Sequence, residues 1–134
     1  MLDCLILGDS IAVGTAMFAP KCAVYAHGGW NTWQWNKQYL EKTPKDLTAN
    51  NVIISLGTND HDGVHTFKEL LKMRQNVHAD RVYWIMPAIK PHVQNVVESI
   101  ATSYNDVIIK IPSLQPDKIH PTWAGYKQIV KEAK

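Results

Sequence analysis

Five short apolar runs alternate along the chain with longer segments that have apolar residues at helical spacing. The runs cover residues 2–7, 22–26, 52–56, 81–86 and 107–111 and are rich in β-branched and aromatic residues. Their apolar residues are largely continuous, without a polar residue at every second position, which is typical of strands covered on both faces. The pattern therefore predicts five strands of a parallel sheet.

The intervening segments predict five helices, at residues 10–17, 32–42, 66–77, 91–104 and 122–134. In the third of these, Phe67, Leu70, Leu71 and Val77 fall near one face of a helix. Pro91 suits the first turn of the fourth, where its missing N–H costs nothing. Because strand and helix alternate five times, we expect a three-layer α/β/α sandwich with right-handed crossovers.

Length and charge narrow the class of protein. The 134 residues predict one domain, residues 1–134, and no repeat or linker divides it. Basic residues are scattered and the net charge is only +2, so nucleic acid is not an expected partner. No apolar run is long enough to span a membrane. Asp3 and the Gly8-Asp9-Ser10 segment interrupt the apolar N-terminal residues, and no Lys or Arg precedes them, unlike in a signal peptide. We expect a soluble, cytoplasmic protein, whose oligomeric state these features leave open.

The two cysteines, Cys4 and Cys22, lie in separate apolar runs without the spacing of a metal site. Burial in apolar runs favours two reduced thiols. A disulfide between neighbouring strands remains the alternative.

Polar and glycine residues follow the predicted strands at the edge where open parallel sheets bind ligands. These segments are residues 8–10, 27–30 and 57–60, with residues 117–120 in the loop before the last helix. Together they supply a hydroxyl, flexible glycines, a carboxamide, a carboxylate and an imidazole. These groups are the ones that acyl transfer requires.

Serine is a weak nucleophile unless a base lies within hydrogen-bond reach and an acceptor orients that base. His120 can act as the base of Ser10, with Asp117 folding back on the other ring nitrogen. The backbone N–H of Ser10, a glycine N–H after the second strand and the side-chain amide of Asn59 can stabilise an oxyanion. Taken one at a time, Ser10 could instead cap a helix and Asn59 could be a turn residue, as we expect Asp60 to be.

Four short blocks occur in order: "GDS" at 8–10, a glycine near 29, "GTND" at 57–60 and "DKIH" at 117–120. In this order the chain resembles the SGNH hydrolases, also called GDSL-type esterases, over nearly its whole length. The resemblance implies a flavodoxin-like parallel sheet and a triad of Ser10, Asp117 and His120. It also implies an oxyanion hole of Ser10, Gly29 and Asn59, with Gly28 as the alternative glycine. No cofactor and no metal ion is needed for this chemistry.

The chain is short for this family, which leaves little sequence for a lid or a deep acyl tunnel. We therefore expect short acyl esters as substrates, above all acetyl groups on carbohydrate, because Trp30, Trp33, Trp35 and Trp123 flank the proposed catalytic segments and aromatic faces suit stacking on sugars. For Trp33 and Trp35, packing against loops and helix faces is at least as strong an alternative. Small thioesters and lysophospholipids are lesser alternatives. A non-catalytic module that binds a glycan or a protein is the contrasting hypothesis.

Two other motifs are interpreted as ordinary structure. "GDSIAVGT" lacks the lysine of a phosphate-binding loop. "HDGVH" at 61–65 has a glycine inside it and lies where a helix is only beginning, so a loop is favoured over a zinc site. Trp84, inside a predicted strand, is expected in the core.

Overall fold

A computed structural model describes residues 2–133 of the chain. The strands are β1 (Leu2–Gly8), β2 (Ala23–Ala26), β3 (Leu47–Ser55), β4 (Val77–Ile85) and β5 (Val107–Ile109). The helices are α1 (Ser10–Met17), α2 (Thr32–Asn36), α3 (Thr66–Gln75), α4 (Pro91–Tyr104) and α5 (Trp123–Glu132), and α2 continues into a π-helical segment, Lys37–Lys42. Within residues 2–133, no helix is both long and apolar enough to span a bilayer.

The five strands form one parallel sheet in the order β2-β1-β3-β4-β5. This is the doubly wound order of flavodoxin-like folds. In the register of the sheet, Leu5 of β1 lies between Ala23 of β2 and Val52 of β3. The predicted parallel sheet and three-layer architecture are confirmed.

The core consists of two apolar clusters, one on each face of the sheet. Strand residues such as Leu5 and Ile54 pack with α2, α3 and α4 on one face. Their chain neighbours Ile6 and Ile53 pack with α1 and α5 on the other. Successive strand residues point to opposite faces, so a strand covered on both sides needs an apolar residue at nearly every position. This packing explains the continuous apolar runs of the sequence.

The structure differs from the predicted boundaries mainly at the starts of the strands. β3 begins at Leu47 rather than at 52, and β4 begins at Val77 rather than at 81. In the first half of each strand, apolar residues alternate with more exposed polar residues, so no continuous apolar run marks these segments in the sequence. α3 correspondingly ends at Gln75, and β5 ends at Ile109 rather than at 111. Lys134, where the last predicted helix ends, lies outside the described residues.

Cys4 and Cys22 form a disulfide, so the favoured prediction of two reduced thiols is wrong. The sheet register pairs the residues that follow them, Leu5 and Ala23, which leaves the two cysteines opposite each other with their Cα atoms 4.6 Å apart. The bond closes a loop that contains α1, and in the chain-entropy model such a loop contributes about 3 kcal/mol. Disulfides of this kind persist mainly in oxidising compartments.

Candidate active site

Ser10 stands at a tight turn between β1 and α1. Gly8 has φ +145°, and a Cβ at this position would lie 1.8 Å from the carbonyl oxygen of Ser55, so only glycine fits. Asp9 then caps α1, because its carboxylate accepts the N–H of Ile11 at 3.0 Å. The alternative of Ser10 as a cap is therefore wrong. As the first residue of α1, Ser10 has an N–H that the helix itself leaves without an acceptor.

The structure brings Ser10, His120 and Asp117 into one hydrogen-bonded chain. Ser10 Oγ lies 2.9 Å from His120 Nε2, across 110 positions of sequence. On the other side of the ring, His120 Nδ1 lies 2.7 Å from Asp117 Oδ2. A carboxylate only accepts, so Nδ1 carries the proton and Nε2 of the neutral ring is free to accept from Ser10 Oγ–H.

A tight turn fixes the Asp117 carboxylate against the imidazole. Asp117 Oδ1 accepts the backbone N–H groups of Ile119 and His120, at 2.9 and 3.0 Å, and Lys118 between them has φ +61°. These backbone bonds, reinforced by the His120 ring, lower the pKa of Asp117 to about 2. The carboxylate is therefore ionised at any pH well above 2.

Asp9, next to Ser10, is buried and forms no ion pair with any residue from 2 to 133. One oxygen, Oδ1, accepts from Ile11 N–H and from Ser55 Oγ–H. The other, Oδ2, is buried and has no hydrogen-bond partner among the described residues. Burial raises the pKa of Asp9 from 3.8 to about 6, against the lowering effect of the hydrogen bonds.

This raised pKa predicts that Asp9 destabilises the folded protein as the pH rises. Between about pH 4 and 6 the folded state holds a proton that the unfolded state releases, so the free energy of unfolding falls with pH, by about 3 kcal/mol in full. Asp9→Asn keeps the accepting oxygen and removes the charge. In urea denaturation between pH 4 and 8, the variant should gain stability over wild type as the pH rises. A difference that stays constant with pH would contradict the raised pKa.

Asn59 follows β3 and has the donor that an oxyanion hole requires. Its Nδ2 donates one hydrogen to the carbonyl of Trp30 at 3.0 Å. A carboxamide nitrogen carries two hydrogens, so one remains for a second acceptor. The bond to Trp30 fixes the orientation of the amide before any ligand binds. The oxyanion role of Asn59 stays a prediction, as do the roles of Ser10 and the glycine.

Both candidate glycines lie in the loop after β2. A Cβ on Gly28 would stand 3.7 Å from the Cβ of Ser10, which places this part of the loop beside Ser10. Gly29 has φ +81°, a conformation that favours glycine. The Gly28 carbonyl accepts from Nδ1 of His27 at 2.9 Å, and because the peptide is planar this bond also fixes the direction of the Gly29 N–H. Gly29 remains the predicted donor, with Gly28 as the alternative.

Asp60 is more than the turn residue that the sequence suggested. Only 2% of it is exposed, and its carboxylate accepts from Thr32 and Thr66, the first residues of α2 and α3. No local pattern reveals these bonds, since the partners are 28 and 6 positions away. The "HDGVH" segment that follows is a loop, in which His61 accepts from the N–H of Gly63.

The structure separates the tryptophans into core and surface residues. Trp84 is fully buried, as predicted, and so is Trp35. Trp30 is partly buried and stacks on His27 with ring centroids 4.0 Å apart. Trp33 is 49% exposed with Lys37 over its ring, and Trp123 is 74% exposed at the first position of α5, three residues after His120. Of the four that flank the proposed catalytic segments, Trp35 therefore packs in the core, and Trp123 has the most accessible indole.

Comparison with solved structures places this architecture among lipases and acylhydrolases. A GDSL-like lipase from Bacteroides thetaiotaomicron aligns with 99% of this chain over 89% of its own length, with a TM-score of 0.67 and 18% identity. A lipase/acylhydrolase from Enterococcus faecalis aligns with 97% of this chain over 94% of its own length, with a TM-score of 0.68 and 18% identity. A member of the lipolytic G-D-S-L family from Veillonella parvula aligns with 99% of this chain over 96% of its own length, with a TM-score of 0.65 and 15% identity.

No protein-family model and no curated protein matches the chain. At 14–18% identity the structural similarity establishes the fold. The chain has the α/β fold of the GDSL-like lipases and acylhydrolases, so the resemblance to SGNH hydrolases indicated by the four sequence blocks is confirmed at the level of the fold.

Proposed function

We propose that this protein is a serine ester hydrolase of the SGNH type. The observation that carries the proposal is the hydrogen-bonded chain from Ser10 Oγ through His120 to Asp117, at 2.9 and 2.7 Å. This is the geometry by which a base activates a hydroxyl and a carboxylate orients the base. It occurs at the carboxyl edge of a parallel sheet, where such folds bind ligands.

The arrangement supports a two-step reaction. Ser10 Oγ attacks the ester carbonyl while His120 Nε2 takes the hydroxyl proton, and the charge of Asp117 stabilises the imidazolium. The carbonyl oxygen becomes an oxyanion, for which the N–H of Ser10, the N–H of Gly29 and the Asn59 amide are the proposed donors. His120 then protonates the leaving alcohol as the carbon–oxygen bond breaks. In the second step His120 deprotonates water, which attacks the acyl-serine and releases the acid and free Ser10.

The exposure of the site favours a small acyl group on a large alcohol. The side chains of His120 and Asp117 are 33% and 43% exposed, so the site is open to solvent on this side. Because His120 must protonate the leaving oxygen, the alcohol part of the ester lies on the side of His120. Trp123 follows His120 by three residues with its indole largely exposed, and an aromatic face suits a sugar ring. We therefore propose acetylated carbohydrate as the substrate class, with small thioesters and lysophospholipids as alternatives.

The first test is hydrolysis of 4-nitrophenyl esters of increasing chain length, with and without prior treatment by a serine-directed phosphonate. We expect activity on the acetate and butyrate, loss of activity after treatment, and a phosphonate adduct that peptide mass mapping places on Ser10. An acetylated methyl glycoside should then be a better substrate than ethyl acetate, as judged by kcat/KM.

Three outcomes would contradict these proposals. A folded protein that neither turns over any ester nor labels with phosphonate would favour a non-catalytic binding module on this fold. An adduct on another serine, such as the exposed Ser103 of α4, would overturn the assignment of the nucleophile. Preference for long acyl chains, or for ethyl acetate over the glycoside, would overturn the substrate class alone.

A further inference from the structure

Asp60 makes more hydrogen bonds than a loop carboxylate needs in order to shape its own turn. Its Oδ1 accepts the backbone N–H of Thr32 at 2.8 Å and the hydroxyl of Thr32 at 3.0 Å. Its Oδ2 accepts the hydroxyl of Thr66 at 2.9 Å and is also 3.0 Å from Thr32 Oγ1. Hydrogen bonds to a buried carboxylate are stronger than those between neutral groups, so they hold Thr32 and Thr66 firmly against Asp60.

The backbone of Asp60 is fixed as well. Its N–H donates to the carbonyl of Gly57, and its own carbonyl accepts from Lys90 Nζ at 2.6 Å. Lys90 directly precedes α4. One residue therefore connects the first residues of α2 and α3 with the start of α4.

The residue before Asp60 is the proposed oxyanion donor. Asn59 Nδ2 holds the carbonyl of Trp30, while Asp60 holds the N–H of Thr32. These two contacts lie on either side of Asn31, at the end of the loop that carries Gly28 and Gly29. At its beginning the same loop is held by the N–H of His27, which donates to the carbonyl of Gly8. The loop with the glycine donor and the loop with the amide donor are thus fixed to each other through residues 59 and 60.

We infer that Asp60 is a positioning residue that sets the distance between the glycine N–H and the Asn59 amide of the oxyanion hole. The inference rests on the proposed esterase function. Asp60 acts through Asn59 and the residue 27–31 loop. Its loss should therefore weaken binding of the transition state and leave the ground-state complex little changed.

Asp60→Ala tests this inference, with Asp106→Ala as a matched control. Asp106 is also a buried carboxylate with several partners, since it accepts from Arg74 and from Trp84 Nε1, but it precedes β5 at the other end of the sheet. Both variants should lower the melting temperature. At a temperature where both are folded, Asp60→Ala should lower kcat for 4-nitrophenyl acetate by about 10- to 100-fold with KM within about 3-fold, because small misplacements of catalytic groups have effects of this size. Asp106→Ala should retain wild-type kcat.

A conservative variant keeps the test decisive if the alanine variant does not fold. Asp60→Asn retains an oxygen that can accept the N–H of Thr32 but loses the charge, so its kcat should fall by roughly 5-fold, less than for alanine. The inference is overturned if the folded variants keep wild-type kcat, if only KM changes, or if Asp106→Ala loses as much kcat as Asp60→Ala. Wild-type protein that hydrolyses no ester overturns the proposed function and this inference with it, whereas active wild type with an unaffected Asp60→Asn overturns the inference alone.

Discussion

Replacing Ser10 by alanine is expected to lower kcat for ester hydrolysis by about 10⁵- to 10⁶-fold, because the nucleophile of a Ser-His-Asp site has no substitute. The fold should be unaffected, since Ser10 does not cap α1 and its side chain bonds only to His120 among the described residues. Steady-state kinetics with 4-nitrophenyl acetate measures the loss. Ser103→Ala, at an exposed serine of α4, should retain full activity.

His120→Ala should lower kcat nearly as much as Ser10→Ala does. The double variant should lower kcat no further than either single variant. The reason is that the hydroxyl and the imidazole act as one unit, so removing the second partner of a broken unit changes little. Losses that add on a logarithmic scale would show that Ser10 and His120 act independently. A Ser10→Ala variant within about 10-fold of wild type would eliminate the proposed mechanism, since residual catalysis without the nucleophile is far lower.

The second largest effect is expected at Asn59. Asn59→Ala should reduce kcat by about 100- to 1,000-fold, the usual result of removing one oxyanion donor, while KM changes little. The ground-state ester carbonyl carries little charge, so the amide contributes mainly in the transition state. Asn95→Ala, at an exposed position of α4, is the control for a loss of carboxamide and should be neutral.

Asn59→Asp tests whether the hydrogen-bond donor of Asn59, rather than the shape of its side chain, is required for catalysis. The carboxylate occupies the same volume but cannot donate to an oxyanion or to the Trp30 carbonyl, so its kcat should be at least as low as that of Asn59→Ala. Near-wild-type kcat in either variant would show that the Asn59 amide serves only to hold Trp30.

Local sequence pattern was sufficient for much of the site as well as for the fold. Asp117 and His120 lie three positions apart, so one turn can join them, and the distances agree with that expectation. The residues after β1 and β3 were located because a parallel sheet brings the carboxyl ends of its strands to one edge. Ser10 and Asn59 could therefore be predicted as members of the candidate site once the strands were recognised.

Other features depended on contacts between residues that are far apart in the chain. The Cys4–Cys22 disulfide follows from the register of β1 against β2, which hydrophobic pattern alone does not fix to the residue. Asp60 resembles any turn aspartate until Thr32 and Thr66 are brought to it. The tryptophans likewise differ in environment in a way that the sequence does not reveal: Trp35 and Trp84 lie in the core, Trp30 stacks on His27, and Trp123 is exposed at the start of α5.

The sequence by itself determined the α/β class and the order of elements, which depend on periodicity, and the pairing of Asp117 with His120, which are neighbours within one turn. It predicted Ser10 as their partner, 110 positions away, because a parallel sheet brings the carboxyl ends of its strands to one edge. Only the tertiary structure decided the strand starts at Leu47 and Val77, the disulfide and the burial of Asp9 and Asp60. Each of these depends on which strand or loop packs alongside, and that packing brings together residues with no local relation in the chain.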